Sequence, residues 1–515
     1  MKKYPVFILC VCLLSCVLFG CASDDAPYVP TGDALAGNDY TAPVATDKSD
    51  ASEQDLVLVY YPTEPMNPYT CNDYTNRTLF SLIYQSLFVV DRDYQVSPML
   101  CSRYSMTEDM RGYTFYIESA TFSDGSPLTI NDVLASFQAA KESAYYKGRF
   151  LHVDAIALSA DGGISFTLDT AYENFPLLLD IPIVKAGEVA AEYPLGTGPY
   201  YLEQGGAGLR LRRRSNWWCQ AALPINASSI PLTVAESVSG IRDAFEFTDV
   251  GLVCADPGSD HYADYRCDYE LWDSENGILL YLACNLDSAV FSNPQVRAAL
   301  THAIDRETIV SDFYRSFAHS ASLPASPNSP YYNSQLAQKY AYDSAKFTQA
   351  VSESGATGTV IKLLVNKNDT LRLRIARGIR EMLTTCGLTV EMLELTGEDY
   401  LYTLNTRAYD LYLGQTKLSA NMDLSAFFGS GGALRYGGLS DAAMYAMCLE
   451  ALANRGNYLT LHKMIMDDGR LCPILFQSYS IHATRGLLTG LTPSRDNVFY
   501  YSSGRTMEDA LIVAE

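Results

Sequence analysis

Basic charge is scarce in this 515-residue chain: 37 Lys and Arg stand against 59 Asp and Glu, for a formal charge of −22. A chain this acidic does not track a phosphate backbone without a strong local basic patch, so nucleic acid is not an expected partner. The longest basic run, Arg210 to Arg214 around Leu211, alternates and reads as a solvated strand face. There are six His, all scattered, and no two Cys stand at C-x-x-C spacing. Neither a zinc site nor a redox pair therefore has a local signature, and no metal or cofactor is expected. The chain also lacks a G-x-S-x-G elbow and an H-E-x-x-H helix. Asp124 and Asp132 are the nearest thing to paired carboxylates, and turn and cap roles explain both. The expectation is a protein that is not an enzyme, a membrane-anchored hydrolase being the weakest alternative. Hydrophobic residues make up 48% and charged residues 19%, which excludes wholesale disorder and leaves ample material for a core.

Lys2 and Lys3 precede an apolar run from Pro5 to Gly20. The run is short for a membrane span, which needs about 20 apolar residues, and its basic start reads as a secretory signal. It ends in Leu18-Phe19-Gly20-Cys21, followed by Ala22-Ser23-Asp24-Asp25, which resembles the bacterial lipobox. Residues 1–20 are thus assigned to a signal and Cys21 to lipidation; the alternative is an ordinary secretory signal with an incidental Cys. Buried lipid contributes about 0.8 kcal/mol per CH₂, so a modified Cys21 would hold the protein to the outer face of the cell membrane. Residues 21–54 are rich in Asp, Ala, Thr, Pro and Gly and form a tether. Nine further Cys remain (Cys71, Cys101, Cys219, Cys254, Cys267, Cys284, Cys386, Cys448 and Cys472), and an odd number cannot all pair within one chain. Buried free thiols are expected, with one or two disulfides as the extracytoplasmic alternative.

The folded part starts near Asp55. Leu56 to Tyr61 is a continuous apolar run that suits a buried strand. Asn76 to Val90 has helical spacing through Leu79, Ile83 and Leu87. Arg111 to Ser119 alternates as a strand, and Thr129-Ile130-Asn131-Asp132 opens a helix with a capping-box pattern. Ile278 to Cys284 reads as a strand; Asn293-Pro294 opens a helix striped by Val296, Ala299, Leu300, Ala303 and Ile304. Strands at 359–364 and 409–413 alternate with helices at 371–383 and 439–453. This order argues an α/β fold.

Several segments resemble one family. Phe122-Ser123-Asp124-Gly125-Ser126-Pro127-Leu128-Thr129, with Asp132-Val133 and Ser136, is similar to the F-x-D-G-x-P-L-T-A-x-D-V signature of extracellular solute-binding proteins of family 5, the dipeptide, oligopeptide and nickel type. Gly196-Thr197-Gly198-Pro199-Tyr200, Val296-Arg297-Ala298-Ala299-Leu300 with Ala303-Ile304-Asp305-Arg306, and Tyr409-Asp410-Leu411 before Gly414 follow in the family's order. The likeness covers roughly residues 55 to 500. Read physically, these are mainly scaffold features: a turn at Asp124-Gly125, a cap at Asp305, and a tight backbone turn at Gly196 and Gly198.

The resemblance implies a two-lobed periplasmic-binding-protein-like class II fold with an extra small domain on lobe one. Lobe I is assigned to 55–70, 160–280 and 481–515, the additional domain to 71–159, and lobe II to 281–480. It also implies an ABC importer's substrate-binding subunit, a monomer without chemistry of its own, working with permease subunits and taking an oligopeptide or similar small solute. Candidate ligand contacts are Asn72, Asp73 and Tyr74 after the first strand, Tyr281 and Asn285 at the start of lobe II, Gly414, Gln415, Thr416 and Lys417, and Arg435 and Tyr436 in the Gly-rich stretch 427–438. The family's amine-holding Asp is replaced by Ala420, its Trp by Gln415, and the Pro after Asp423 is gone. The alternatives are therefore a receptor for a non-peptide, anionic solute, which Lys417 would meet, or a family-fold protein that signals or chaperones at the surface.

Overall fold

The computed structural model describes residues 56–512 apart from 207, 220, 248, 260, 261, 263 and 264. The signal, Cys21 and the tether lie outside the described residues. Among the described residues nineteen strands form five sheets. In the first, β1 (Leu58–Tyr60) pairs parallel with β12 (Ser229–Val234), which continues antiparallel into β11 (Gly208–Arg213) and β10 (Tyr200–Gly205). The basic run lies on β11, where Arg210 and Arg212 each stand 3.6 Å from Glu203 across the hairpin.

A second sheet has the order β5 (Cys101–Met106), β6 (Gly112–Ile117), β8 (Ile164–Leu168), β7 (Val153–Leu158), antiparallel throughout. Helix Ile130–Glu142 covers it, with Phe137 edge-on to Phe166 at 5.3 Å. Its start is fixed by Asp132, whose Oδ2 accepts from the Thr129 backbone N–H at 2.8 Å. Because β8 sits between β6 and β7, this unit runs to Leu168, past the boundary placed at 159.

The third sheet, of seven strands, carries the site. Its order is β13 (Leu252–Ala255), β19 (Leu471–Thr484), β14 (Tyr269–Cys284), β18 (Leu411–Lys417), β16 (Val360–Asn366), β17 (Thr389–Leu395), with β15 (Ala318–Ser320) beside β19. Helices Thr370–Thr385 and Gly397–Thr406 are the crossovers that make β16, β17 and β18 parallel. Ile361, Leu363, Ile375, Ile379, Leu411 and Leu413 interlock in its core. Two short ribbons complete the set: β2 (Gln85–Ser86) with β9 (Pro182–Ile183), and β3 (Phe88–Val90) with β4 (Val96–Pro98).

Two expectations need correction. The helical spacing over 76–90 ends at Ile83, in two short helices, Tyr74–Thr78 and Phe80–Ile83, after which the chain is extended. Leu82, Ile83, Leu87 and Phe88 are buried on every side, so period alone could not separate helix from strand there. Gly196 and Gly198, expected to permit a tight turn, have no positive φ and serve a close approach instead. A Cβ on Gly198 would stand 2.5 Å from the Ile83 carbonyl carbon, and the Gly198 N–H donates to that carbonyl at 2.9 Å. These glycines let two backbones touch. The other motif residues are scaffold: Arg306 donates to the carbonyls of Ala321 and Pro473 at 3.1 and 3.0 Å, and Asp305 caps helix Arg306–Tyr314. All nine Cys outside the first 21 residues are free thiols. Among the described residues no helix is long and apolar enough to cross a membrane.

Candidate functional site

β14 and β19 are unusually long, 16 and 14 residues, and pair antiparallel from Tyr269–Thr484 to Ala283–Leu471. They straddle the boundaries placed at 280/281 and 480/481. Between Glu275 and Leu279 the pairing slips, and Gly277 there has φ +71°. A side chain at 277 would run into the Arg495 guanidinium, so this bulge is where the C-terminal segment lies against the strand.

On this framework side chains two residues apart share a face. Gln415 and Lys417 do so on β18, and Gln477 and Tyr479 on β19, all four half-buried. Gln477 Nε2 donates to Gln415 Oε1 at 3.3 Å and to the Tyr314 hydroxyl at 3.1 Å. Tyr479 stacks on Tyr74 with ring centres 3.6 Å apart. Lys417 Nζ donates to Asp496 Oδ1 at 2.6 Å and to the Tyr145 hydroxyl at 2.9 Å.

A cavity lies on each side of this band. The larger, about 650 Å³ and open, is lined by Asp256, Asn366, Asp369, Arg372, Gln415 and Gln477. It sits at the carboxyl ends of β13, β16 and β18, where α/β sheets place ligands. Asp369 caps helix Thr370–Thr385 and pairs with Arg372 at 2.6 Å. Asp256 accepts from the Gly258 backbone N–H at 2.9 Å; burial raises its carboxyl above the ordinary value, with Arg315 pulling the other way. The smaller cavity, about 80 Å³, is lined by Arg77, Tyr145, Arg149, Asp180, Arg495 and Asp496 among others.

Burial pushes the Lys417 ammonium down to about 8; Asp496 pulls against this, while Arg495 and Arg77 push the same way. Burial would raise the Asp496 carboxyl, yet Lys417 and Arg495 hold it below the ordinary carboxylate value. The Tyr74 hydroxyl is buried without a partner, and burial raises it well above the usual phenol.

Of the residues proposed from sequence, the structure brings Tyr74, Gln415 and Lys417 to this band. Thr416 lies between the last two on β18, opposite Leu279. Asp73 caps helix Tyr74–Thr78, accepting from Asn76 N–H at 3.0 Å, and Asn72 is exposed beside it. Two candidates are occupied by the core. Tyr281 is 2% exposed, edge-on to Phe427, its hydroxyl 3.3 Å from that of Tyr412. Asn285 donates to the carbonyls of Arg407 and Tyr409 at 3.0 and 2.7 Å and so holds a turn. Gly414 is a packing glycine, since a Cβ would meet the Tyr281 ring at 2.6 Å. Arg435 and Tyr436 line a separate open cavity of about 470 Å³ with Arg407.

Sequence reasoning missed Arg77, Arg149, Asp256, Gln477, Tyr479, Arg495 and Asp496. Asp256-Pro257-Gly258 was a readable turn after a strand; the others carried no local signal. Among the described residues no group of three or more His, Cys, Asp or Glu is placed to hold a metal.

Residues 95–433 match the model "bacterial extracellular solute-binding proteins, family 5 Middle". The glutathione-binding protein GsiB of Salmonella typhi is 23% identical over 355 residues, 66% of this chain and 69% of that protein. The crystal structure of a putative peptide binding protein AppA from Clostridium difficile superposes with TM-score 0.70 at 18% identity, covering 86% of this chain and 98% of that one. HbpA2 from Haemophilus parasuis gives TM-score 0.69 at 17% identity, over 84% and 95%.

Proposed function

The chain belongs to the bacterial extracellular solute-binding proteins of family 5, and from that premise we propose that it is the substrate-binding subunit of an ABC importer. It captures a short peptide or similar small solute between two lobes and delivers it to a permease, doing no chemistry itself. The observation that carries this reading is the band Gln415 and Lys417 on β18 with Gln477 and Tyr479 on β19, the two strands on either side of β14, roofed by Tyr74 and flanked by two cavities. Lobe I holds β1 and the β10–β12 hairpin sheet, lobe II holds β16–β18, and β14 and β19 are the crossings that flex as the lobes close. Peptide and glutathione binding are named for relatives, and a free amine has a counter-charge here in Asp256 rather than at Ala420. A lipid on Cys21 and the tether after it keep the receptor, a monomer, at the outer face of the membrane.

Two measurements test this. Small molecules released by denaturing natively purified protein are identified by mass spectrometry, and the identified solute is added back in small-angle scattering. Release of a peptide-like solute and compaction on its return are expected; no bound solute and no compaction would overturn the reading. Cys21→Ala is expected to release the protein to the medium, and unchanged retention at the membrane would refute the anchor.

A further inference from the structure

The small cavity gathers more buried positive charge than it neutralises. Arg77, Arg149, Lys417 and Arg495 converge there against Asp180 and Asp496. Arg149 is paired with Asp180, and Lys417 with Asp496. Among the described residues neither Arg77 nor Arg495 has a carboxylate within ion-pair distance, although Asp496 attracts both from farther off. Arg77 donates instead to the carbonyls of Pro68 and Cys71, each at 3.1 Å, and to the Tyr146 hydroxyl at 2.7 Å. Its guanidinium lies 3.3 Å from the centre of the Tyr145 ring. These neutral partners fix the side chain without cancelling its charge. Arg495 is 9% exposed, donates to the Leu418 carbonyl, and leaves its Nε buried with no partner. Glu275 is the carboxylate nearest to uncommitted, but it already accepts from the Tyr94 hydroxyl, Ser326 and Asn328, at 2.5, 2.6 and 3.2 Å. Counting it still leaves one cation in excess.

A buried guanidinium cannot shed its proton, and without an anion it is costly to hold. At about 80 Å³ the cavity has room for roughly three waters, the size of an acidic head group and far less than a peptide. No free carboxylate lines it to receive an amine. We infer that this cavity receives an acidic group of the transported solute, a carboxylate or a phosphate, with Arg495 and Arg77 donating to its oxygens. The inference rests on the solute-receptor reading and adds the charge of one end of the solute.

Calorimetry on the full chain tests it with three probes: succinate, inorganic phosphate, and succinamide as the neutral match of succinate. One of the two anions is expected to bind and succinamide to fail. Preference for succinate assigns a carboxylate, and preference for phosphate a phosphoryl group. Arg495→Gln is expected to weaken the preferred anion about 10- to 100-fold, and Arg495→Lys to recover part of that. If Arg495→Gln does not fold, the matched succinate and succinamide pair on the unaltered protein decides. Equal binding of succinamide, or no binding of either anion at tens of millimolar, overturns the inference. A neutral or cationic solute released from the native protein, with compaction intact, would remove this inference and leave the receptor reading standing.

Discussion

Lys417→Met is expected to leave the fold as stable as before, or more so, while weakening capture of an acidic solute. Burial lowers the Lys417 ammonium from 10.5 to about 8. At about 1.36 kcal/mol per tenfold, keeping it charged at neutral pH costs the folded state about 3 kcal/mol, an upper figure because 28% of the side chain still meets solvent. The bonds to Asp496 and Tyr145 are already included in that net value. Met keeps the length and the apolar stem. Once those bonds are gone, Arg495 continues to attract the Asp496 carboxylate. The balance lies between about zero and a gain of about 3 kcal/mol. The sign of the pH dependence gives a second check. The unfolded chain holds this proton up to 10.5 and the folded chain only to about 8. The wild type therefore gains about 2 kcal/mol between about pH 8 and 9.5 that the variant does not. Urea unfolding of the ligand-free proteins, followed by tryptophan fluorescence near neutrality and again near pH 9.5, reads both quantities. A loss above about 2 kcal/mol near neutrality, or the same alkaline gain in both proteins, would refute the reasoning.

His462 is wholly buried with neither ring nitrogen hydrogen-bonded, and burial holds it down to about 3. Its folded value lies below the ordinary 6.5, so stability is lost as pH falls, by up to about 1.4 kcal/mol per pH unit. His462→Leu should flatten that acid limb in thermal unfolding, and an unchanged slope would exclude His462 as its source. Gly414→Ala should cost about 1–3 kcal/mol, because the new Cβ meets the Tyr281 ring at 2.6 Å; differential scanning calorimetry should show a midpoint lowered by several degrees. Asp256→Asn keeps the acceptor for the Gly258 N–H and removes the negative charge. Triglycine should then bind about 10- to 100-fold more weakly, and equal affinity by calorimetry would exclude Asp256 as the amine contact.

The sequence was most readable where local chemistry settles local structure. The caps at Thr129, Asn293 and Asp305 stand where the pattern put them, and helix Thr370–Thr385 extends the stripe read over 371–383 by one residue at its start and two at its end. The crossing strands were harder. β14 was read only from Ile278, because Glu270, Asp273, Glu275 and Asn276 break the apolar run upstream. β19 was missed, since Pro473, Gln477, Ser478 and His482 interrupt its alternation. Several of these polar side chains, Glu275, Asn276, Ser478 and His482 among them, are buried, so polarity there did not mark a solvated face. The cavity arginines were unreadable for another reason: in one sequence a buried Arg looks like a solvated one. Lys417 and Asp496 meet across 79 residues of chain, a pairing that only the fold creates.

The altered segment after Gly414 clarifies why the solute's charge has to be read elsewhere. Ala420 is buried, and its neighbours are spent on fastening. Asn421 is bonded from both sides, its Nδ2 donating to the Tyr172 hydroxyl and its carbonyl accepting from the Tyr458 hydroxyl at 2.5 Å. Asp423 accepts from the Ser425 backbone N–H at 2.8 Å and hydroxyl at 2.9 Å. It also stands 3.3 Å from Nε2 of His152, whose Nδ1 lies 3.0 Å from Asp169. A carboxylate so engaged is not free to hold an amine. The segment thus joins β18 to the unit built on β5–β8, and on the proposed reading the groups that meet a charged solute are Asp256 in the larger cavity and Arg77 and Arg495 in the smaller. A solute with an amine at one end and an acid at the other would satisfy both cavities, whereas one with two cationic ends would leave the buried guanidiniums unanswered.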